Sequence, residues 1–333
     1  MLTALPLSEL QLIARIGAAA RKTKSPALVA GIGDDCAVLR LPAGTDALVT
    51  TDQSVEGVHF RRDWHPPESA GHRCLARGLS DIAAMGGDAV AAFLSLALPA
   101  DCEQRWVDGF LAGLLKLAAR FDVPLAGGDI AESPSVIAAD IVVLGSVPRV
   151  GGRSRALLRS GAKPGDSIYV TGELGRAAAV VHALREGQKR SPKAKENRAH
   201  FFPEPRIAVG QKLRGLASAC IDVSDGLSTD LAHLCAESGV GALLHEHSIP
   251  RGVHGFGSSS LHFALHGGED YELLFTTPAS ARVPQRIAGV RVTRVGEMIA
   301  DRQRRIFLTD SHGQRKRLVP AGWEHFGEVK GKK

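Results

Sequence analysis

Val136–Thr171 reads VIAADIVVLGSVPRVGGRSRALLRSGAKPGDSIYVT. An apolar, β-branched run from Val136 to Val147 stops at Pro148, gives way to the glycine- and arginine-bearing stretch PRVGGRS through Ser154, and a fresh strand pattern occupies Ser167–Thr171. The interruption predicts two domains, residues 1–148 and 149–333. Outward from it, helical and strand signals alternate on both sides. Upstream, the spacing predicts a helix after Ser8 on Leu10, Ile13, Ala14 and Gly17, a strand over Ala47–Thr51, and a helix over Glu68–Met85 with Leu75, Leu79 and Ile82 as its core stripe. Ala89–Leu98 reads as either a buried strand or a core helix. Trp106, Phe110, Leu114 and Ala118 mark a further helix, and Val123–Ala126 a strand. Downstream, a helix over Gly175–Leu184, a strand over Ala219–Val223 and a helix over Leu227–Ser238 are expected, with the polar loop from Glu186 to Asn197 as the best disorder candidate. The fold class is α/β, α and β mixed, without a short-period repeat.

The chain has 333 residues, 44% of them hydrophobic, with 37 glycines, which is ample for one large or two ordinary cores. Its net charge of +6 comes from two segments: Arg185–Arg198 carries six basic and two acidic residues, Asp301–Lys333 nine and four. The remainder is therefore at −3. A mildly acidic body with basic edges does not read as a nucleic-acid groove. Five cysteines, widely spaced and without a CxxC pair, point to a reducing compartment rather than to zinc or disulfides. MLTALPLSELQ has no basic region ahead of its apolar residues, and the longest apolar stretch, Ile82–Ala100, is broken by Gly86, Gly87 and Asp88. The expectation is a cytoplasmic protein with no membrane span.

The chemically informative residues are aspartates beside glycine, serine or threonine: Asp34 and Asp35 in GIGDDC, Asp52 in TTDQS, Asp81 in LSDIAAMGG, Asp129 in AGGDI, Asp222 and Asp225 in IDVSDG. They read as standing at element ends, where an isolated aspartate is a turn or cap residue. Seven alike suggest a hard cation, and the absence of a calcium-loop spacing favours magnesium. Magnesium with scattered carboxylates usually also holds phosphate oxygens. Common phosphate cradles are missing: Gly161-Ala-Lys-Pro-Gly165-Asp-Ser lacks the Lys-Ser pair of a P-loop, and Gly31-Ile-Gly33 is followed by Asp34 and Asp35 instead of a third glycine. Metals and arginines would have to hold the phosphate.

GIGDDCAVL, TTDQSVEGVHF, LSDIAAMGG, AGGDI, GRSRALLRSGAKPGD, IDVSDGLSTDL and HGGEDYELLF, in this order, resemble the thiamine-monophosphate kinases, from about Ser8 to Phe326. Those enzymes belong with aminoimidazole ribonucleotide synthetase, selenophosphate synthetase and a hydrogenase maturation factor. Gly78 departs from the pattern, which has a larger polar residue there. The resemblance implies a two-domain aminoimidazole-ribonucleotide-synthetase-like fold, its N-terminal domains pairing in a homodimer. It implies transfer of the ATP γ-phosphoryl to thiamine monophosphate, with several Mg²⁺ ions. Asp35, Thr50, Thr51, Asp52, Asp81, Asp129, Asp222 and Asp225 then stand as metal ligands, Gly128, Asp129, Arg159 and Ser224 as ATP contacts, and His59, Glu269 and Trp323 as acceptor contacts. No general base is expected, because a phosphate monoester with second pKa about 6 is already largely deprotonated at neutral pH.

Simpler readings stand beside these. His59 next to Phe60 reads equally as a buried histidine, Trp323 as a packing anchor, Glu269 and Asp270 as a strand start, and Arg302, Arg304, Arg305, Arg315, Lys316 and Arg317 as a solvated face or a hairpin. The alternatives for the whole chain are another ATP-using enzyme of this superfamily with a different acceptor, or a nucleic-acid-binding regulator.

Overall fold

A computed structural model of the chain describes residues 9–23, 25–33, 36–253 and 259–325. The chain folds into two compact units, one formed by residues up to 156 together with 191–214, the other by 157–190 together with those from 215 onward.

In the first unit, α1 (Glu9–Ala20) precedes a short antiparallel ribbon of β1 (Leu28–Ala30) and β2 (Val38–Leu39). There follow β3 (Thr45–Val55), α2 (Pro67–Ala84), β4 (Asp88–Pro99), α3 (Gln104–Arg120), β5 (Leu125–Ser133), β6 (Ala138–Val150) and β7 (Arg153–Ser154). The main sheet runs β3-β6-β4-β5, with β7 folded back on β6. Only β4 and β5 are parallel, as the α3 crossover between them permits. The ambiguous apolar run around Ala89–Leu98 is therefore the strand β4, hydrogen-bonded on both sides; its burial alternates from Ala92 to Leu98, but its outward positions include the apolar Phe93 and Ala97, so the sequence shows no alternation.

The helix α2 starts with proline, whose missing N–H is harmless in a first turn, and places Glu68 where the helix dipole favours a carboxylate. Leu75, Leu79 and Ile82 are the expected stripe, each no more than 1% exposed. At Gly78 an added Cβ would come within 2.6 Å of Val143 Cγ2, so the missing side chain lets α2 lie close on β6. Among the described residues, no helix of this unit covers the opposite face of the sheet. Along β3 the residues alternate accordingly, with Val49 69% exposed.

The chain then enters the second unit with β8 (Ser167–Thr171) and α4 (Arg176–Arg185), and returns to the first with α5 (Arg198–Phe201) and α6 (Ile207–Leu213). Buried polar groups fasten the returning segment. Ser69 Oγ donates to Phe201 O at 2.7 Å, His72 Nε2 to Pro203 O at 2.7 Å, and Arg73 Nη1 to His200 O at 2.5 Å. The Nε2 atoms of His65 and His200 meet at 2.9 Å, while Gln211 and Arg214 donate to Asp88. The polar loop expected at 186–197 ends in a short turn, Lys195–Asn197, with Asn197 buried and donating to Ser191 O at 3.0 Å. Its charge reads as disorder because that buried amide is one residue among many solvated ones.

The second unit continues with β9 (Ala219–Val223), α7 (Leu227–Ser238), β10 (Gly241–His245), α8 (Ser259–His266), β11 (Glu272–Thr277), β12 (Arg286–Ile287), β13 (Val290–Ile299), β14 (Ile306–Thr309) and β15 (Arg315–Leu318). Its sheet runs β15-β14-β10-β13-β8-β11-β9, with β12 beside β13, and only β10 and β14 are parallel. Ile168, Val170, Ile221, Val223, Leu231 and Leu274 meet in its core. β14 and β15 form a hairpin whose second strand carries Arg315, Lys316 and Arg317, while Arg302, Arg304 and Arg305 precede it. No helix of the described residues is long and apolar enough to cross a membrane.

Burial in this fold pushes the His72 pKa down to about 4, and that of His200 well below the usual value. As pH falls below about 6.5 the unfolded chain takes up protons that the folded one refuses, so stability is lost progressively between pH 6.5 and 4. His72→Gln keeps an N–H for Pro203 O and removes one such group. The fall in melting temperature between pH 6.5 and 4.5, followed by calorimetry, should be shallower in this variant; an identical fall would show that His72 is not one of the groups responsible.

Candidate active site

Acidic side chains gather on both faces of the first unit's sheet. On the face covered by α2, the Thr50 hydroxyl donates to Asp81, and the Asp52 and Asp81 carboxyls lie within hydrogen-bonding reach of each other. Arg77 Nη2 donates to Asp52 Oδ1 at 3.3 Å. Burial raises the Asp52 pKa from its ordinary value; Arg77 and a hydrogen bond with Asp81 oppose the shift, and Asp140 adds to it. Asp81 sits in the last turn of α2, where the helix dipole disfavours a carboxylate.

On the other face, strand register sets Gln53, Asp140, Ser95 and Asp129 side by side across β3, β6, β4 and β5. These four line one shallow hollow, and Thr51 Oγ1 donates to Asp140 Oδ1 at 2.8 Å. Gly128 and Asp129 also border a second hollow with Ile13, Ile16 and Ile32. Asp52 and Asp129, read as element-end residues, lie instead inside strands of 11 and 9 residues. There the pleat, not a cap, aims them. Sequence reasoning missed Arg77 and Asp140. The available signal for Asp140 was a lone charge in the apolar run IAADIVV; Arg77, on a helix with other polar residues, gave none.

Asp35, with Asp34, lies outside the described residues. His59 follows β3 in a tight turn, donating its N–H to Val55 O at 2.9 Å while its Nδ1 accepts from Val55 N at 3.0 Å. It is half-buried, and one ring nitrogen holds the loop.

In the second unit, β9 delivers Asp222, Ser224 and Asp225 to the start of α7. Asp222 is buried. The Asp230 carboxyl accepts from the backbone N–H groups of Asp225 and Gly226 at 3.1 and 3.0 Å, pinning the turn. Burial, with Asp222 and Asp225 adding to it, pushes the Asp230 pKa up to about 8. Glu269 and Tyr271 have φ of 70° and 50°, conformations that side chains adopt at some cost. They are held there because Glu269 N donates to Ser224 O and Tyr271 N to Val223 O, at 2.8 and 2.9 Å. Glu269 and Asp270 therefore do not begin a strand; β11 starts at Glu272. Between them Asp270 is buried, accepting from Gly175 N at 2.7 Å. Trp323 N donates to Asp225 O at 3.0 Å, and its side chain is 45% exposed, too open for a packing anchor. Ser224, Asp225, Glu269 and Trp323 thus converge. Arg159 is exposed in the same unit, its carbonyl accepting from Ser238 Oγ at 2.9 Å.

Among the described residues no three carboxylate, thiolate or imidazole groups converge closely enough to form a metal site alone. The donors present nevertheless suit magnesium, a hard cation that commonly takes one or two carboxylates and fills its shell with water and phosphate oxygens. The pair Asp52 and Asp81, with the Thr50 hydroxyl, is such a partial set.

Profiles of the AIR synthase related protein N-terminal and C-terminal domains match residues 33–147 and 163–308. The thiamine-monophosphate kinase of Salmonella typhimurium is 40% identical over 310 residues, spanning 89% of this chain and 91% of its own. A solved thiamine-monophosphate kinase from Stenotrophomonas maltophilia K279a superposes with a TM-score of 0.78 at 33% identity, covering 92% of this chain and 97% of its own. AaThiL complexed with AMPPCP and TMP superposes with a TM-score of 0.75 at 30% identity, over 96% and 97% of the two chains.

Without a cation, Asp81 carries a charge that its place at a helix C-terminus disfavours. Asp81→Asn keeps an acceptor for Thr50 and removes the charge. In chelator its melting temperature should rise by about 1–4 °C, while the further rise that Mg²⁺ gives the wild type should shrink. A lower melting temperature in chelator would mean that the two carboxyls support each other.

Proposed function

The chain belongs to the AIR synthase related family, among its thiamine-monophosphate kinases, and from that premise we propose how its residues carry the reaction. The protein phosphorylates thiamine monophosphate with ATP, giving thiamine diphosphate and ADP. The observation that carries the mechanistic reading is the gathering of Asp52, Asp81 and Thr50 on one sheet face, with Thr51, Asp140 and Asp129 on the other. Such acidic surfaces need cations before they can approach two polyanions.

Magnesium ions, when bound, neutralise the phosphates and draw the reacting oxygen and phosphorus together. We assign Asp35, Thr50, Thr51, Asp52, Asp81, Asp129, Asp222 and Asp225 to holding them. Gly128, Asp129, Arg159 and Ser224 are assigned to ATP, and His59, Glu269 and Trp323 to the acceptor. The nucleophile is an acceptor phosphate oxygen, attacking the γ-phosphorus in line with the departing ADP oxygen; no side chain need remove a proton. Catalysis then rests on positioning and charge neutralisation. Trp323 and Glu269 suit the cationic thiazolium ring, the indole by its π face and the carboxylate by its charge.

A homodimer through the N-terminal unit, a division near residue 148 between a magnesium- and ATP-binding domain and one completing the substrate site, and a cytoplasmic location complete the reading. No nucleic-acid partner is inferred. Arg305 pairs with Asp301 at 2.8 Å, and the guanidinium groups of Arg305 and Arg315 lie over the Phe307 ring, so part of the basic hairpin serves local packing.

ADP release by the purified protein should depend on both thiamine monophosphate and Mg²⁺ and be absent with free thiamine, because the acceptor phosphate is needed to complete the metal shell. Comparable turnover of free thiamine would overturn this mechanism.

Arg159→Lys keeps the charge and loses the planar fork of donors. Steady-state kinetics should show the ATP KM rising about tenfold with the acceptor KM little changed; a rise confined to the acceptor would move Arg159 to the other substrate.

A further inference from the structure

Residues 321–323 follow the last strand and belong to no helix or strand, yet three successive backbone N–H groups there are taken by the start of α7. Ala321 N donates to Ser228 Oγ at 3.4 Å, Gly322 N to Thr229 Oγ1 at 3.1 Å, and Trp323 N to Asp225 O at 3.0 Å. The contact is so close that a Cβ on residue 322 would lie 2.1 Å from Asp225 O and 2.6 Å from Thr229 Oγ1; only glycine fits. Behind this clasp, Ser228 Oγ lies 2.8 Å from Nδ1 of His266 on α8. Burial and the neighbouring His262 hold His266 below its usual pKa, and the serine oxygen, with two lone pairs, can accept from Ala321 whichever way its bond to the imidazole runs. The indole itself is 45% exposed, touching His325 edge-on with ring centres 5.6 Å apart. The backbone is fixed while the ring is presented to solvent, the reverse of an aromatic held by packing.

We propose that Ser228, Thr229 and His266 are positioning residues for the phosphate acceptor, clasping residues 321–323 to the start of α7 and so fixing the Trp323 indole relative to Asp225. This rests on the reading that Trp323 meets the thiazolium end of the substrate. One residue, Asp225, would then bear on both ends of that substrate: its carbonyl accepts from Trp323 N, and its carboxylate is among those assigned to hold magnesium. An indole on a free chain end would have to be ordered at every binding event, and the clasp removes that loss in advance.

The test is steady-state kinetics of the full chain with ATP and thiamine monophosphate for Thr229→Val, Thr229→Ser, Trp323→Ala and the Val/Ala double variant. Thr229→Val should raise the acceptor KM about fivefold, the worth of one hydrogen bond, with kcat and the ATP KM within about twofold of wild type. Thr229→Ser should restore the acceptor KM. Trp323→Ala should raise it at least as much, and the double variant should lose no more than Trp323→Ala alone, since the clasp acts through the indole. If Trp323→Ala weakens the acceptor and Thr229→Val does not, the clasp is refuted and the pocket stands. If Trp323→Ala leaves the acceptor KM unchanged, the pocket reading fails and the proposal with it. Parallel losses in both KM values and in melting temperature for Thr229→Val would assign the clasp to stability alone.

Discussion

Carboxylates brought together without a cation repel, by roughly 4 kcal/mol for two unit charges about 4 Å apart at an effective dielectric constant near 20. Beyond the hydrogen bond within reach of Asp52 and Asp81, something must hold that pair together and set Asp129 in line with Asp140. In the first unit it is the backbone. Eleven consecutive register pairs between β3 and β6 determine which side chains share a face, and a slip of one residue would send Asp52 and Asp140 to the wrong sides. The packing of α2, with Leu75, Leu79 and Ile82 buried, then sets Asp81 and Arg77 against β3. The hydrophobic core supplies the stability that the acidic face lacks.

The second unit meets the same constraint with local devices. Backbone N–H groups of Asp225 and Gly226 converge on Asp230, and Glu269 is kept in a left-handed conformation by a hydrogen bond to Ser224. Both features place acidic residues where they would not settle unaided. Strain at Glu269 and Tyr271, on either side of buried Asp270, marks a link whose shape is imposed by its surroundings rather than chosen by its own residues.

Much of this was legible in advance. The strand Ala219–Val223 and the helix Leu227–Ser238 coincide with their apolar patterns because each is bounded by glycine or serine signals and buries one contiguous set of side chains. The aspartates stood out because each lies in a short motif with glycine, serine or threonine. Their setting was misread at Asp52 and Asp129, because a strand interior and a turn look alike where glycine and threonine abound. Asp140 and Arg77 escaped notice because their partners lie 89 and 25 residues away, Thr51 and Asp52 respectively, and register across a sheet leaves no local trace. The return of residues 191–214 was hidden for a related reason: Phe201, Ile207, Val209 and Leu213 are buried there, and the side chains of Ser69, His72 and Arg73 that bond to it lie 127 to 132 residues away in the sequence.

That return has a consequence for how the protein is made. A nascent chain emerges from its N-terminus, and domains usually fold in that order. Here Ser69, His72, Arg73 and Asp88 cannot find their partners until residues 200–214 have been synthesised, after β8 and α4 of the other unit. The first unit must wait half-built, its polar groups solvated, while part of its neighbour emerges. Severing the chain at 156 would not free an intact N-terminal module, and the two units could not be shuffled between proteins as separate cassettes; evolution would have to move them as one interlaced piece.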